Sequence, residues 1–229
     1  MISSLHTTTQ TMIRRLLLAA VLTFVSVRPA AGQIGSPVDP GLSYVGPFGP
    51  AASGGIPAFA QTFKRPAAGF NYLQSFTFFL GDWNSDASGT GLLFRAAVYE
   101  VNGNQLGAQI FASGNEAGSA NYYAFDPYTF VTPNLVLNPG VSTFALVLQS
   151  VSNQNDAMNV IAAGATDYAD GALFVVNGDN SLSPAIDGSS DAAFAATFSV
   201  NATPEPATMV LFGSGMLLVG GFVRRRRSI

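Results

Sequence analysis

Three oxygen-bearing side chains alternate in the segment GDWNSDASGTG, where Asp82, Asn84 and Asp86 stand two residues apart. Carboxylate and amide oxygens at this spacing resemble the first half of a calcium-binding loop, because a hard cation prefers several oxygen ligands. The second half departs from that pattern. Ala87 stands where the turn glycine belongs, and Leu93 stands where a bidentate glutamate belongs. We therefore predict a solvated Asp/Asn turn here, with a calcium site as the alternative.

Trp83, the only tryptophan of the chain, lies in the same segment. An exposed indole in a loop can stack on the face of a sugar ring, whereas a buried indole would close one end of a folded body. The sequence leaves both interpretations open and makes Trp83 the candidate carbohydrate contact.

Residues 33–203 contain neither histidine nor cysteine. The chain has no cysteine, and its single histidine, His6, precedes these residues. This composition excludes the usual Ser-His-Asp and Cys-His catalysis, zinc sites built on imidazole or thiolate, and disulfides. Carboxylate catalysis remains, and glycosidases need two acids about 5 to 10 Å apart. No pair among the twelve acids stands out, so we predict a non-enzymatic protein without a cofactor. A carboxylate-dependent, glycan-active enzyme is the alternative.

The same residues are strongly acidic. Three cations, Lys64, Arg65 and Arg95, stand against twelve carboxylates, which gives a net charge of −9. A body with this charge repels phosphate backbones, so we expect no nucleic-acid partner.

Period-two patterns predict strands in this body. In GLLFRAAVYEV four apolar residues share one face: Leu92, Phe94, Ala96 and Val98. Asn102-Gly103 then predicts a tight type I′ hairpin turn, with QLGAQIFA as the returning strand. Further β-like runs are AQTFK, YLQSFTFFL, PYTFVT, STFALVLQS, ALFVVNG and AAFAATFSV.

Short strands separated by turn residues predict an all-β fold, an antiparallel jelly-roll-like β-sandwich over residues 58–200. Residues 33–57 are rich in glycine and proline, and we predict an extended, poorly packed lead-in without strands there.

The N-terminus resembles a secretory signal peptide over residues 1–32. Arg14 and Arg15 precede the apolar stretch 16–27, and small residues follow up to Gly32, where we expect cleavage. The apolar stretch is too short to span a bilayer of ~30 Å. Met12 is an alternative start, because it opens a compact signal of the same design.

The C-terminus combines three features. A linker, residues 201–206, contains Pro204-Glu205-Pro206, an apolar run covers residues 207–223, and four arginines, Arg224, Arg225, Arg226 and Arg227, begin the tail 224–229. The 17 apolar residues just suffice for a transmembrane helix at 1.5 Å per residue. The arginines would stay on the cytoplasmic side by the positive-inside rule, which places the body outside.

These three features, in this order, resemble the PEP-CTERM sorting signal of Gram-negative bacteria. The resemblance implies an inner-membrane-anchored precursor with its body in the periplasm. It also implies a partner, the membrane enzyme exosortase, that processes the chain near Pro204-Glu205-Pro206 and passes it to the cell surface or the extracellular matrix. A plain membrane anchor with an accidental tripeptide is the alternative.

The segments LVLNPGVSTFALVLQS, DYADGALFVVNG and DAAFAATFSV also resemble late strands of the jelly-roll domains common in that family. Because such proteins occur in species that make extracellular polysaccharide, the resemblance implies a role in a polysaccharide or biofilm matrix. The tail is sometimes labelled an ice-binding C-terminal domain, but the body contains no TxT repeat, so ice binding is the weakest alternative.

Overall fold

The computed structural model describes residues 31–39, 41, 43–66, 69–84, 88–151, 157–185 and 191–200. Several sequence predictions lie outside these residues: most of the signal peptide, Asp86, the linker 201–206, the apolar run 207–223 and the tail 224–229. Within the described part of the chain, no helix is both long and apolar enough to cross a membrane.

Two antiparallel sheets form a β-sandwich, which confirms the predicted fold class. The first sheet contains β1 (Ala31–Ser36), β2 (Tyr44–Phe48), β4 (Tyr72–Asp82), β8 (Asp126–Val136), β10 (Asn159–Ala162) and β13 (Phe194–Ser199). The second contains β3 (Ala58–Phe63), β5 (Leu93–Asn102), β6 (Gln105–Ala112), β7 (Glu116–Ala117), β9 (Phe144–Ser150), β11 (Leu173–Val176) and β12 (Leu182–Pro184). Two 3₁₀ turns, Ala51–Ser53 and Ser88–Gly91, connect strands.

The long strand β4 organises the first sheet. Its residue Leu80 pairs with Asp126 of β8 on one side and with Ile161 of β10 on the other. Strand β13 pairs with β4 as far as Phe78, so β13 and β10 follow one another along the same edge. This arrangement brings β10, and with it β2, to the end of β4 where Asp82 lies.

Phenylalanine dominates the core between the sheets. Alternating residues of β4 and β13, including Phe76, Phe78, Phe194 and Phe198, are almost completely buried. The predicted inward face of β5 is confirmed, because Phe94 and its alternating neighbours are fully buried. Burying one such side chain stabilises the fold by about 1.5–3 kcal/mol, and the body contains no disulfide to assist.

The second sheet curls so that its edge strands β6 and β12 meet at one end. The Leu106 N–H donates to the Asn180 carbonyl, and the Leu182 N–H donates to the Asn104 carbonyl, at 3.0 and 2.8 Å. A second apolar cluster fills this curl: Ala60, Ala97, Val101, Leu106, Ala145, Val147 and Leu182. It explains why Ala97 is buried on the face of β5 that the sequence pattern leaves outside.

The predicted hairpin between β5 and β6 is confirmed, with Asn102 opposite Gln105. The two central residues of the turn are Gly103 and Asn104, one position later than predicted. Of these two residues only Gly103 has a positive φ, of 61°. Glycine at the first central position is typical of a type II′ turn, so the predicted type I′ geometry is wrong.

The prediction that residues 33–57 contain no strand is also wrong, because β1 and β2 both form there. β1 pairs with β13 through a close backbone approach at Gly35, whose φ is 154°; a Cβ atom there would lie 2.1 Å from the Phe194 carbonyl oxygen. β2 tolerates Pro47 because it is an edge strand, and it buries Phe48 in the core. Tertiary pairing thus overrides the weak strand propensity of this segment. The first two residues of β1 precede the expected cleavage point after Gly32.

Candidate functional site

The candidate site lies where β4 ends at Asp82. Asp82 is directly opposite Asn159 of β10, and β10 in turn pairs with β2, where Ala162 lies opposite Tyr44. A third segment, between β7 and β8, joins them because the Asp82 N–H donates to the Asn121 carbonyl at 2.8 Å. Three distant parts of the sequence therefore meet around the predicted Asp82–Asn84 segment.

Aromatic side chains line a cleft of about 440 Å³ at this junction: Tyr44, Trp83, Tyr122, Tyr123 and Phe125. Trp83 is half-buried, whereas Tyr123 is 78% exposed. The ring of Tyr44 meets that of Trp83 edge to face at a centroid distance of 5.8 Å. Tyr122 and Tyr123 form a second edge-to-face pair at 4.9 Å. The cleft thus offers ring surface of the kind that stacks on sugars.

Asp82 supplies a carboxylate to the lining of the cleft and is 2% exposed. Its Oδ1 accepts the backbone N–H groups of Asn84 and Gly89, at 3.3 and 3.1 Å. Its Oδ2 is buried and has no hydrogen-bond donor. Because Oδ2 is closed off from solvent, a ligand in the cleft does not reach it without a rearrangement of the lining.

The tight packing behind the cleft depends on Asn159 and two glycines. The Asn159 side chain accepts the Ser119 N–H at 3.0 Å and donates to the Ser119 carbonyl at 2.9 Å. A Cβ atom on Gly89 would lie 2.4 Å from Asn159 Nδ2, and one on Gly118 would lie 2.2 Å from Asn159 Oδ1. Glycine is therefore required at both positions for the loops to approach this closely.

Ser119 also anchors the segment that carries the two exposed tyrosines. Its hydroxyl donates to Asp126 Oδ2 at 2.6 Å and accepts the Asn121 N–H at 2.9 Å. These bonds hold the backbone immediately before Tyr122 and Tyr123, so the aromatic pair projects from an ordered loop.

The structure brings together three of the predicted site residues, Asp82, Trp83 and Asn84, on one cleft. The calcium alternative stays a prediction, since Asp86 lies outside the described residues. Among the described residues, no cluster of three or more carboxylate, histidine or cysteine side chains could hold a metal ion. The indole of Trp83 is half-buried and lines the cleft, and its role as a carbohydrate contact stays a prediction.

Sequence reasoning missed Tyr44, Tyr122 and Tyr123. The run NYYAF carries a signal for the last two, because consecutive aromatic residues in a segment without strand alternation indicate a surface role. Tyr44 carries no such local signal and is placed only by the pairing of β2 with β10.

A second cavity, of about 540 Å³, lies along β1 and β13. Its described lining includes the ring of Tyr168 but no charged side chain. It therefore offers fewer groups for recognition than the aromatic cleft.

Comparison with known proteins identifies the C-terminus. Residues 202–227 match the family model of the PEP-CTERM protein-sorting motif, which confirms the predicted resemblance. The chain therefore carries the signal of an exported, membrane-anchored precursor that exosortase recognises and that is processed at the cell envelope. No curated protein sequence matches the chain.

Solved structures show only remote similarity. A structure of the cysteine protease and lectin-like domains of Cwp84, a surface-layer-associated protein of Clostridium difficile, matches with 13% identity and a TM-score of 0.43, over 63% of this chain and 32% of that one. T=1 particles derived from infectious bursal virus match with 13% identity and a TM-score of 0.31, over 79% of this chain and 42% of that one. The chain thus spans less than half the length of either.

Proposed function

We propose that the exported body is a non-enzymatic polysaccharide-binding protein of the cell surface or extracellular matrix. The observation that carries this proposal is the cleft of about 440 Å³ that five exposed or half-buried aromatic residues line. Aromatic rings stack on the apolar faces of sugars, and the exposed side chain of Asn84 on the same lining can exchange hydrogen bonds with their hydroxyl groups. The sorting motif at residues 202–227 supports export to the cell envelope, where a polysaccharide-binding body would act.

A non-catalytic role is supported by the number of carboxylates at the site. Hydrolysis of a glycosidic bond requires two carboxyl groups on either side of the bond. Asp82 is the only carboxylate among the described residues that line the cleft. The carboxylate-dependent enzyme therefore remains the less favoured alternative.

The test uses the processed protein, purified from a strain that has an exosortase. We expect it to bind the extracellular polysaccharide of its producer in a titration followed by Trp83 fluorescence, because the only tryptophan of the chain lines the cleft. A polysaccharide that binds without any change in Trp83 emission would place binding elsewhere. The absence of binding would overturn the proposal, and release of reducing ends would favour the enzyme.

A further inference from the structure

The aromatic cleft and the last strand of the body lie at opposite ends of β4. β4 begins at Tyr72 and ends at Asp82, which lines the cleft. Its neighbour β13 is antiparallel to it, so Ser199, the last residue of β13, lies opposite Tyr72. The chain therefore continues toward the sorting motif from the Tyr72 end of the sandwich, which we call the tail end.

The first strand of the body converges on the same end. β1 pairs with β13 from Ala31, which lies opposite Ser199, to Ser36, which lies opposite Phe194. The first strand of the sandwich thus starts, and the last one finishes, side by side at the tail end. Both chain ends of the described body are on the side away from the cleft.

The lengths of β4 and of the linker set the distances. β4 contains 11 residues, which at about 3.3 Å per residue extend roughly 30 Å from the tail end to the cleft. The linker 201–206 reaches at most roughly 22 Å even when it is fully extended. This limit keeps the tail end close to a bilayer that holds the apolar run 207–223, whereas the cleft is one strand length away.

The charge distribution favours contact of the tail end with a membrane. Two of the three cations in residues 33–203, Lys64 and Arg65, lie there. Lys64 pairs with Asp170, whereas Arg65 donates to two neutral acceptors, Asn71 Oδ1 and the Pro139 carbonyl oxygen. An anionic lipid surface repels a body with a net charge of −9, and the repulsion is weakest at the end that carries these cations.

We infer that the membrane-anchored precursor holds the aromatic cleft at the end of its body that points away from the bilayer. The cleft is then open to a polymer before the tail is processed, and processing releases a body that already binds. The orientation depends on strand register, linker length and charge, and not on what the cleft binds. The binding of a polymer by the precursor rests on the proposed function.

The experiment measures how far each end of the body lies from the bilayer. Because the chain contains no cysteine, a single thiol can be introduced at either end. Val136→Cys places it at the tail end, since Val136 is 58% exposed and lies opposite Tyr72. Tyr123→Cys places it at the cleft, where Tyr123 is 78% exposed. Substitution at such exposed positions changes stability little.

Each variant is isolated with its tail intact from a strain without exosortase and labelled with a donor dye. It is then reconstituted into vesicles of phosphatidylethanolamine and phosphatidylglycerol that contain an acceptor lipid. We expect energy transfer to be at least twofold more efficient from Val136→Cys than from Tyr123→Cys, because the second dye lies about 30 Å farther from the headgroups. Equal transfer, or more efficient transfer from Tyr123→Cys, would overturn the inference.

The unaltered precursor provides an independent check through Trp83, the only tryptophan of the chain. Lipids brominated in their acyl chains quench a tryptophan that contacts the bilayer. We expect no quenching of Trp83, because it lines the cleft. Quenching would show that the cleft lies on the membrane and would also overturn the inference.

A titration with the polysaccharide of the producer then compares the precursor in vesicles with the processed protein, followed by Trp83 fluorescence. We expect affinities that agree within about twofold, because the cleft is equally open in both forms. If only the processed protein binds, the inference is wrong and the proposed function stands. If neither form binds while energy transfer differs as expected, the orientation stands and the proposed function falls.

Discussion

The ring of Tyr44 meets the indole of Trp83 edge to face, with centroids 5.8 Å apart and planes at 77°. The two residues are 39 positions apart in the sequence and meet because β2 and β4 flank β10. This contact holds the indole half-buried at the cleft rather than free in solvent. The Trp83 segment is therefore positioned by long-range strand pairing, on which its proposed binding role depends.

Trp83→Ala should weaken polysaccharide binding about fivefold or more, because one aromatic contact contributes roughly 0.5–1.5 kcal/mol beyond its buried area. Calorimetric titration is the suitable measurement, since the substitution removes the fluorescent probe. Tyr99→Ala is the matched control: Tyr99 lies on the second sheet, bonds to Gln109 and does not line the cleft. Equal loss in both variants would show that the cleft is not the binding site.

Gly118→Ala should destabilise the body by about 1–3 kcal/mol, because the new methyl group would lie 2.2 Å from Asn159 Oδ1 and 2.3 Å from the Gly89 carbonyl oxygen. The measurement is the free energy of unfolding in urea. Gly114→Ala is the control, since no atom lies within 4 Å of its added Cβ, and its stability should be unchanged. A stable Gly118→Ala variant would contradict the close loop packing behind the cleft.

The sequence predicted the core well and the cleft poorly, for physical reasons. Phe194 and Phe198 could be assigned to one buried face because strand periodicity is a local property. β10 and β1 were missed because one is only four residues long and the other is glycine-rich, and both are stabilised by pairing with distant strands. The cleft combines residues of β2 and β10, the end of β4 and the segment between β7 and β8, and no local pattern encodes how these segments pair.

Millimolar calcium should leave the melting temperature of the processed protein unchanged. Asp82 Oδ1 already accepts two backbone N–H groups, whose positive ends would oppose a cation at that oxygen. Thermal unfolding with calcium and with EDTA provides the measurement. A rise of the melting temperature with calcium that disappears in Asp82→Ala would instead support the calcium alternative and make Asp82 one of its ligands.

The phenol of Tyr128 should titrate late in alkaline solution. Burial, reinforced by the negative charges of Asp126 and Glu116, raises the pKa of Tyr128 from its ordinary value of 10.0 to about 12. The folded state therefore favours the neutral phenol, so the contribution of Tyr128 to stability is complete below pH 10 and declines as the pH rises toward 12. Ultraviolet titration of phenolate should show a step near pH 12 that is absent in Tyr128→Phe. Identical curves for the two proteins would contradict the assignment.

Removal of Arg224 to Arg227 should misplace the C-terminus without preventing export, because we expect the N-terminal segment to direct export. Without these charges an apolar run of only 17 residues is no longer held by a cytoplasmic anchor and can slip or insert in the reverse orientation. The measurement is the protease accessibility, in inverted membrane vesicles, of an epitope tag added after Ile229 in both proteins. A lysine-for-arginine replacement of all four residues is the control and should retain the original orientation.

Glu205→Ala should leave a full-length precursor in the membrane, because the substitution alters the tripeptide of the confirmed sorting motif and leaves the apolar run intact. A residue outside the hydrocarbon layer contributes little to the free energy of insertion, so anchoring itself should not change. Asn201→Ala lies outside the matched residues 202–227 and should be processed like the unaltered chain. The measurement is the mass of each protein after cell fractionation in a strain that has an exosortase. If Glu205→Ala and the unaltered chain both retain Ala207 to Ile229, the run acts as a plain anchor and Pro204-Glu205-Pro206 is not a processing signal.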